Sequence, residues 1–321
     1  MITVVIPYYQ KKTGILARAL ASIKAQEPCG MPVHVVVVDD ASPVPANGEV
    51  ESLGDLFFSI EVIFQENSGP GGARNTGLEH APQGTRYIAF LDSDDEWDSS
   101  HLQRAVAALK AGYSFYFSNH YHLGQSIGAF ERAGRLDLSK HIELVDAGTG
   151  IYGYQGDMLD QIIRGNIIGT STVVYDFQRC PEKRFRIEFA NAGEDYLFWM
   201  ELVRDGVKTA FSVQCEARYG HGVNIYSASG WGTEQHLLRI HNELKYRKTT
   251  EILFSLTAHQ QAHLKHCIDE LRAGFARDLL HRLAHHKPLP LETLRAHIRL
   301  DPLSFAKLPF YWFGFIFFRQ P

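Results

Sequence analysis

Cysteine is scarce in this sequence. Cys29, Cys180, Cys215 and Cys267 are scattered over 321 residues, and no two of them form a C-x-x-C pair. That scatter excludes a zinc ribbon or a disulfide framework, and the four are read as reduced thiols. Long apolar runs are missing too, since none approaches the ~20 residues of a membrane-crossing helix. The first ten residues, MITVVIPYYQ, lack the basic region and extended apolar core of a signal peptide. A cytoplasmic protein is expected, soluble or peripherally bound. Excess positive charge is absent as well. A formal net charge of -4 argues against a broad nucleic-acid-binding surface, so no nucleic-acid partner is expected. What is present is an ordinary globular balance, 45% hydrophobic and 21% charged, which can bury a sizeable core. The length suits one large domain with an appendage, or two domains.

The chain begins with an apolar β-branched run, residues 2–6, that is expected to end as a buried strand at Pro7. Ile15, Leu16, Ala19, Leu20 and Ile23 then recur at helical spacing. Residues 33–38 are nearly all valine, as in a strand covered on both faces of a parallel sheet, and Asp39, Asp40 and Ser42 follow at once. A third run, residues 60–64, precedes a glycine-rich turn at 69–72, with a helix expected from Gly72 or Ala73. A fourth, residues 87–91, leads into Asp92, Ser93, Asp94 and Asp95. Alternating strands and helices predict a doubly wound α/β sheet, in which the carboxyl ends of successive strands converge on one crevice. Pro7, Asp40, Arg74 and Asp92 should therefore share a rim.

The stretch LDSDDEW, residues 91–97, carries the clearest chemistry. Crowded carboxylates repel one another, and a hard divalent cation with oxygen ligands, Mg²⁺ or Mn²⁺, removes that repulsion while also bridging phosphate oxygens. The same residues also read as strand-to-helix punctuation, with Asp98, Ser99 or Ser100 capping a helix over 101–110. Further on, Glu194 and Asp195 open the apolar stretch EDYLFWMELV, after Asn191 and Gly193; acids there suit a helix's first turn through its macrodipole alone.

Four pieces taken together, IPYYQ at 6–10, VVDDAS at 37–42, NSGPGGARNTG at 67–77 and LDSDD at 91–95, resemble the family 2 glycosyltransferases with the GT-A fold. The resemblance implies a GT-A type nucleotide-binding mixed α/β sheet flanked by helices over residues 1–230. A helical carboxy-terminal extension with an aromatic tail would occupy 231–321. It implies an inverting, metal-dependent enzyme that moves a sugar from a UDP-sugar to a hydroxyl of a glycan or lipid-linked saccharide, in surface polysaccharide biosynthesis on the inner face of the cell membrane. By that resemblance Pro7 lies beside the uridine, Asp40 and Arg74 recognise the uracil edge, and Tyr8, Asp92 and Ser93 complete the donor set. Asp92 and Asp94 form the metal-binding D-x-D pair for Mn²⁺ or Mg²⁺. Asp195 is the base, and Glu194 fixes the acceptor or holds the base. Arg218, His221, Asn224 and Ser227 resemble the segment that closes the donor site, with His221 on the metal or the diphosphate. Two departures are visible: Gln10 stands where the family commonly has asparagine, and Ala41 where it often has glycine.

The segment from 124 to 156 shows no firm period and reads either as acceptor-facing or as a surface excursion. Residues 170–175 return to β-branched side chains and are expected to rejoin the sheet. A helix is expected over 234–256, and Leu264, Ile268, Leu271, Phe275, Leu279 and Leu283 form one stripe of another. Residues 305–318 carry Phe310, Tyr311, Trp312, Phe313, Phe315, Phe317 and Phe318. This tail suits a membrane interface, packing on the catalytic domain, or a homodimer. No Gln-x-x-Arg-Trp motif of the processive synthases occurs, so one sugar per encounter is expected. Two other classes fit the sequence less well. A sugar-nucleotide-forming nucleotidyltransferase would need a glycine- and arginine-rich loop that IPYYQKKTG does not supply. A membrane-docked scaffold without activity is opposed by the intact acids Asp92, Asp94 and Asp195.

Overall fold

The computed structural model describes residues 1–51, 58–189, 193–204, 206–222, 229–233 and 235–317, with residues 316 and 317 described by their backbone alone. The expected cap Asn191, the closing-segment residues Asn224 and Ser227, and Phe318 lie outside the described residues. The chain divides into two compact units, Met1–Ala190 with Glu194–Val223, and Asn191–Gly193 with Asn224–Pro321.

The first unit opens with β1 (Ile2–Tyr8), α1 (Ile15–Lys24), β2 (Val33–Asp40), α2 (Ala46–Glu51), β3 (Ser59–Gln65), α3 (Gly69–Glu79) and β4 (Tyr87–Phe90). It continues with β5 (Glu96–Trp97), α4 (His101–Lys110), β6 (Phe115–Tyr121), α5 (Ala129–Ala133), β7 (Ile142–Glu143) and β8 (Ile151–Gly153). α6 (Met158–Gly165), β9 (Val174–Asp176), α7 (Glu194–Val203) and β10 (Thr209–Arg218) complete it. The sheet runs β3-β2-β1-β4-β9-β6-β10-β8-β7, with β5 joined to β10. β1, β2, β3 and β4 are mutually parallel, while β9 enters antiparallel between β4 and β6. The sheet is therefore mixed and flanked by helices, the expected architecture.

Hydrophobic sequence explains this centre. Ile2, Val4, Val5 and Ile6 of β1 are fully buried, as are Val35, Val36, Val37 and Val38 of β2, and each such side chain contributes about 1.5–3 kcal/mol. β1 does not stop at Pro7 but pairs on to Tyr8, opposite Asp39. Pairing with β4 ends at Val5, so the missing N–H of Pro7 falls where only β2 remains as a neighbour. α3 starts at Gly69, earlier than expected, because the glycines form its first turns rather than a preceding loop. Residues 170–172 form a 3-10 turn and only Val174–Asp176 rejoins the sheet. Within 124–156, α5, β7 and β8 form short elements that periodicity could not register. Ala41 adopts a φ of 54°, in the left-handed region, which is why glycine is favoured at this turn.

The second unit is helical: α8 (His236–Leu253), α9 (Ala258–Ala284), α10 (Leu291–Leu300), α11 (Pro302–Ala306) and α12 (Leu308–Phe317). Leu237, Ile240, Phe275 and Leu279 form its core, with Leu271, Leu294, Phe305, Leu308 and Trp312 against them. The α9 stripe is thus buried, except that Leu283 is 46% exposed at its end. Asp301 holds the helices together, accepting from Arg272 at 2.7 and 2.8 Å and from Lys248 at 3.1 Å. One face of α12 packs inward, Trp312 Nε1 donating to Ala276 O at 2.8 Å, while Phe310 and Phe313 stay exposed. No helix among the described residues is long and apolar enough to cross a membrane.

Gly77 fixes how closely α3 lies on β1. A Cβ there would stand 2.3 Å from Val5 Cγ1, a buried branched side chain on the central strand. Gly77→Ala is expected to cost about 1–3 kcal/mol of stability as an overpacked contact, read as a lowered midpoint in urea unfolding; an unchanged midpoint would contradict this packing.

Candidate active site

The acid stretch follows β4, and three separate pieces of chain hold it in shape. Asp95 N–H donates to Asp92 O at 3.0 Å, closing a turn. Ser171 Oγ donates to Asp95 Oδ2 at 2.5 Å and accepts from Asp92 N–H at 3.0 Å, so the 3-10 turn at 170–172 fixes both ends. Gly220 N–H donates to Asp95 Oδ1 at 3.0 Å. Gly220 and Gly222 also lie so close that a Cβ on either would collide with Asp94. Asp95 is buried, while Asp92 and Asp94 are half-buried.

Arg74 joins this loop to α7. The α3 arginine is only 4% exposed, so it is not a solvated helix charge. Its Nη2 donates to Asp92 Oδ1 at 2.7 Å and its Nη1 lies 3.6 Å from Glu194 Oε1. The Phe185 ring covers the guanidinium at 5.4 Å from its centroid. Gly71 permits the approach, because a Cβ there would already touch Glu194 Cγ and Phe185 Cβ. Beside Glu194, Asp195 accepts from Tyr196 N–H at 2.8 Å and from Thr170 Oγ1 at 3.4 Å. Arg74, Asp92, Asp94, Glu194 and Asp195 are therefore brought together, although some 120 positions separate the first from the last.

Other expected residues are placed differently. Tyr8 is fully buried and its hydroxyl donates to Glu49 Oε1 at 3.3 Å, which turns its side chain into the core rather than toward a ligand. Asp40 is 3% exposed and its oxygens are engaged: Oδ1 accepts from Gln65 Nε2 and Ser68 N–H, Oδ2 from Gly69 N–H. Its carboxylate caps the start of α3 instead of standing free for a base. Ser93 is buried and accepts from Gln10 Nε2 at 3.0 Å. Gln10, one of the two departures, in turn exchanges hydrogen bonds with Ser42, so it ties the loop after β1 to both acidic turns. Pro7 sits half-buried near the end of β1 opposite Val38. His221 is exposed between the two glycines that flank Asp94. Among the described residues no three His, Cys, Asp or Glu side chains are arranged to hold a metal by themselves, so Asp92, Asp94 and His221 are not a preassembled triad. The sequence assigns no role at the site to Ser171, Thr170 or Phe185, and none to Gln10 beyond a departure from the family pattern. The stretch TSTVV had suggested only a strand, and nothing in its pattern marks the serine.

The electrostatics follow from five carboxyl groups around one buried guanidinium. Burial and then the charge of Asp92 push the Asp94 carboxyl up to about 6. Asp95 is raised well above the usual carboxylate range by burial and by Asp92 and Asp94. Glu194 is pushed up to about 8 by burial and Asp195, against the downward pull of Arg74. Burial also raises Asp195. Such an excess of acid favours a bound cation. Arg74 takes Oδ1 of Asp92 and leaves Oδ2; with Asp94 this offers two hard oxygen donors. Mg²⁺ and Mn²⁺ sites of this kind are completed by substrate phosphates and water, not by a protein cage, so the donor set fits.

A mixed sheet with paired acids at the carboxyl end of a central strand and a second acidic helix start beside them defines a nucleotide-dependent transferase of the GT-A class. The model of the family "Glycosyl transferase family 2" matches residues 3–170, and the chain belongs to that family: it is a glycosyltransferase. The succinoglycan biosynthesis protein ExoW of Rhizobium meliloti is 35% identical over 240 residues, 70% of each chain. The UDP-Glc:alpha-D-GlcNAc-diphosphoundecaprenol beta-1,3-glucosyltransferase WfgD of Escherichia coli is 26% identical, over 64% of this chain and 70% of its own. Among solved structures, the mannosyltransferase PcManGT of Pyrobaculum calidifontis, in complex with GDP-Man and Mn²⁺, superposes with a TM-score of 0.56. That match has 15% identity and covers 99% of this chain and 88% of the other.

The raised Glu194 carboxyl has a sign that can be checked. Its folded value of about 8 lies above the ~4.3 of an unfolded glutamate, so the native chain keeps a proton that the unfolded chain releases. Stability is therefore lost as pH rises from about 4.3 toward about 8. Without added metal, the melting temperature of Glu194→Gln should fall less than wild type across that window and exceed it at the upper end. Parallel pH profiles would refute the assignment.

Proposed function

We propose that this protein is an inverting, metal-dependent glycosyltransferase that moves one sugar from a UDP-sugar to a hydroxyl of a glycan or lipid-linked saccharide during surface polysaccharide biosynthesis. The observation that carries the reading is Arg74, which donates to the donor-side acid Asp92 and lies 3.6 Å from Glu194 at the acceptor-side helix start, so that both halves of the site meet at one buried side chain. The names of the relatives support it: one acts in succinoglycan biosynthesis, and the other pairs a UDP-glucose donor with a diphosphoundecaprenol-linked acceptor.

In this reading Asp92 and Asp94 would hold Mg²⁺ or Mn²⁺ against the donor diphosphate, with His221, exposed beside Asp94, serving the metal or the diphosphate. The cation, when bound, supplies Lewis-acid stabilisation of the leaving phosphate, so no protein acid is needed there. Asp195 accepts the proton of the acceptor hydroxyl as it attacks the anomeric carbon, a contribution on the order of 10² to 10⁴ in rate. Attack from the face opposite the diphosphate inverts the anomeric centre. Glu194, with its carboxyl raised by burial, is protonated at neutral pH in the unliganded protein, so it holds the Arg74 side of the site while Asp195 serves as base. Pro7 borders the nucleoside, and Asp40 serves the base indirectly by fixing residues 68 and 69. The outward aromatics Phe310 and Phe313, with Lys307 near them, suit a membrane surface or a second copy of the chain.

Purified protein with Mn²⁺ and a panel of UDP-sugars should release UDP and transfer sugar, and Asp195→Asn should lower transfer at least about 10²-fold while UDP still binds. Transfer by Asp195→Asn at the wild-type rate would remove the base from the mechanism. Asp94→Asn should weaken metal-dependent UDP binding measured by calorimetry; unaltered binding would remove Asp94 from the donor site.

A further inference from the structure

Three aromatic side chains next to the candidate base take no part in the functions assigned so far. His120, at the end of β6, stacks on Tyr219 with ring centroids 4.4 Å apart and 17° between planes. His122 meets the same tyrosine at 5.2 Å and 60°. Both histidines project from the strand end, and β10 delivers Tyr219 beside them, its N–H bonded to Tyr121 O at 2.9 Å.

The group adjoins Asp195 through a short piece of chain. Thr170 donates to Asp195, and the preceding Gly169 is the floor on which the rings rest. A Cβ at Gly169 would stand 2.4 Å from the Tyr219 hydroxyl oxygen and 2.7 Å from His120 Cε1. The charges of Asp95, Asp92 and Asp195 all reach the Tyr219 phenol and, after burial, raise it. One polar atom is left over: Nδ1 of His120, in a side chain only 4% exposed, has no hydrogen-bond partner. His122 and Tyr219 are half-buried, so these two rings are the part of the group that solvent or a ligand reaches.

We infer that His122 and Tyr219, backed by the buried ring of His120, form the subsite for the acceptor sugar, the two half-buried rings packing on the apolar C–H face of a pyranose. Sugar sites combine a flat apolar surface with a few placed polar groups, and this cluster provides both beside the carboxylate that must meet the acceptor hydroxyl. Burial lowers both imidazoles, His120 to about 4, so they are neutral at pH 7. Neutral rings suit an uncharged hexose better than a uronic acid. The inference rests on the glycosyl-transfer reading.

The probes are octyl β-D-glucopyranoside and octyl β-D-galactopyranoside, titrated into the full chain saturated with UDP and Mg²⁺. Imidazole C2–H resonances are followed by NMR, with those of His120 and His122 assigned from His120→Gln and His122→Phe. At least one glycoside should shift these two resonances and leave those of the carboxy-terminal histidines in place. His122→Ala should raise the dissociation constant of that glycoside about fivefold to tenfold, and His122→Phe, which keeps the ring, should restore it. UDP affinity should stay within about twofold in both variants, since the donor site is separate. If neither glycoside moves the two resonances while UDP binds, or if His122→Ala leaves glycoside affinity unchanged, the acceptor subsite is overturned and the donor reading stands. If wild type fails to bind UDP at all, the glycosyl-transfer reading falls and the inference with it.

Discussion

A single buried cation organises the catalytic unit. Arg74 is removed from water with Asp92 as its hydrogen-bonded counter-ion, Glu194 3.6 Å from its other terminal nitrogen and Phe185 over its face. Each partner belongs to a different part of the chain, so the guanidinium converts three independent elements into one object. Arginine suits the position better than lysine, since its planar fork can engage two carboxylates at once while a ring stacks on it. The single positive charge does not balance the acids around it. The structure therefore holds an excess of acid that favours a bound cation.

Around that centre the backbone is shaped by close approach. Gly71 lets α3 reach Glu194, Gly77 lets it settle on β1, and Gly220 and Gly222 let the chain after β10 fold over Asp94. None of these contacts is strong by itself. Their combined effect is to remove space in which the acids could relax away from one another, which keeps Asp94 and Glu194 raised. Rigidity here serves chemistry, because preorganised groups need not be rearranged when charge develops.

The sequence made some of this plain and concealed the rest for identifiable reasons. The β1, β2 and β4 runs were legible because a parallel strand buried on both faces has no polar alternation to disguise it, and β3, though an edge strand, still carries an apolar run. The acids at their ends were legible because strand topology alone puts them on one rim. Asp40 and Tyr8 were read by position, but position does not reveal where a side chain turns. Asp40 spends its oxygens on the start of α3, and Tyr8 faces the core. The middle of the chain resisted reading because α5, β7 and β8 are each five residues or fewer, too short for a period to appear. The rings around Tyr219 were hidden because contact between β6 and β10 joins residues almost a hundred positions apart.

The clamp that Ser171 places on the acidic loop also has a bearing on how the molecule comes into being. Asp92 and Asp95 are made early in synthesis, yet the hydroxyl that braces them belongs to a turn roughly eighty residues later, just ahead of the strand that inserts antiparallel between β4 and β6. A nascent chain can thus lay down its parallel half while the loop still lacks its brace. Closure of the sheet and completion of the acidic loop become one event, so the emerging polypeptide has no finished loop until its central seam is sealed.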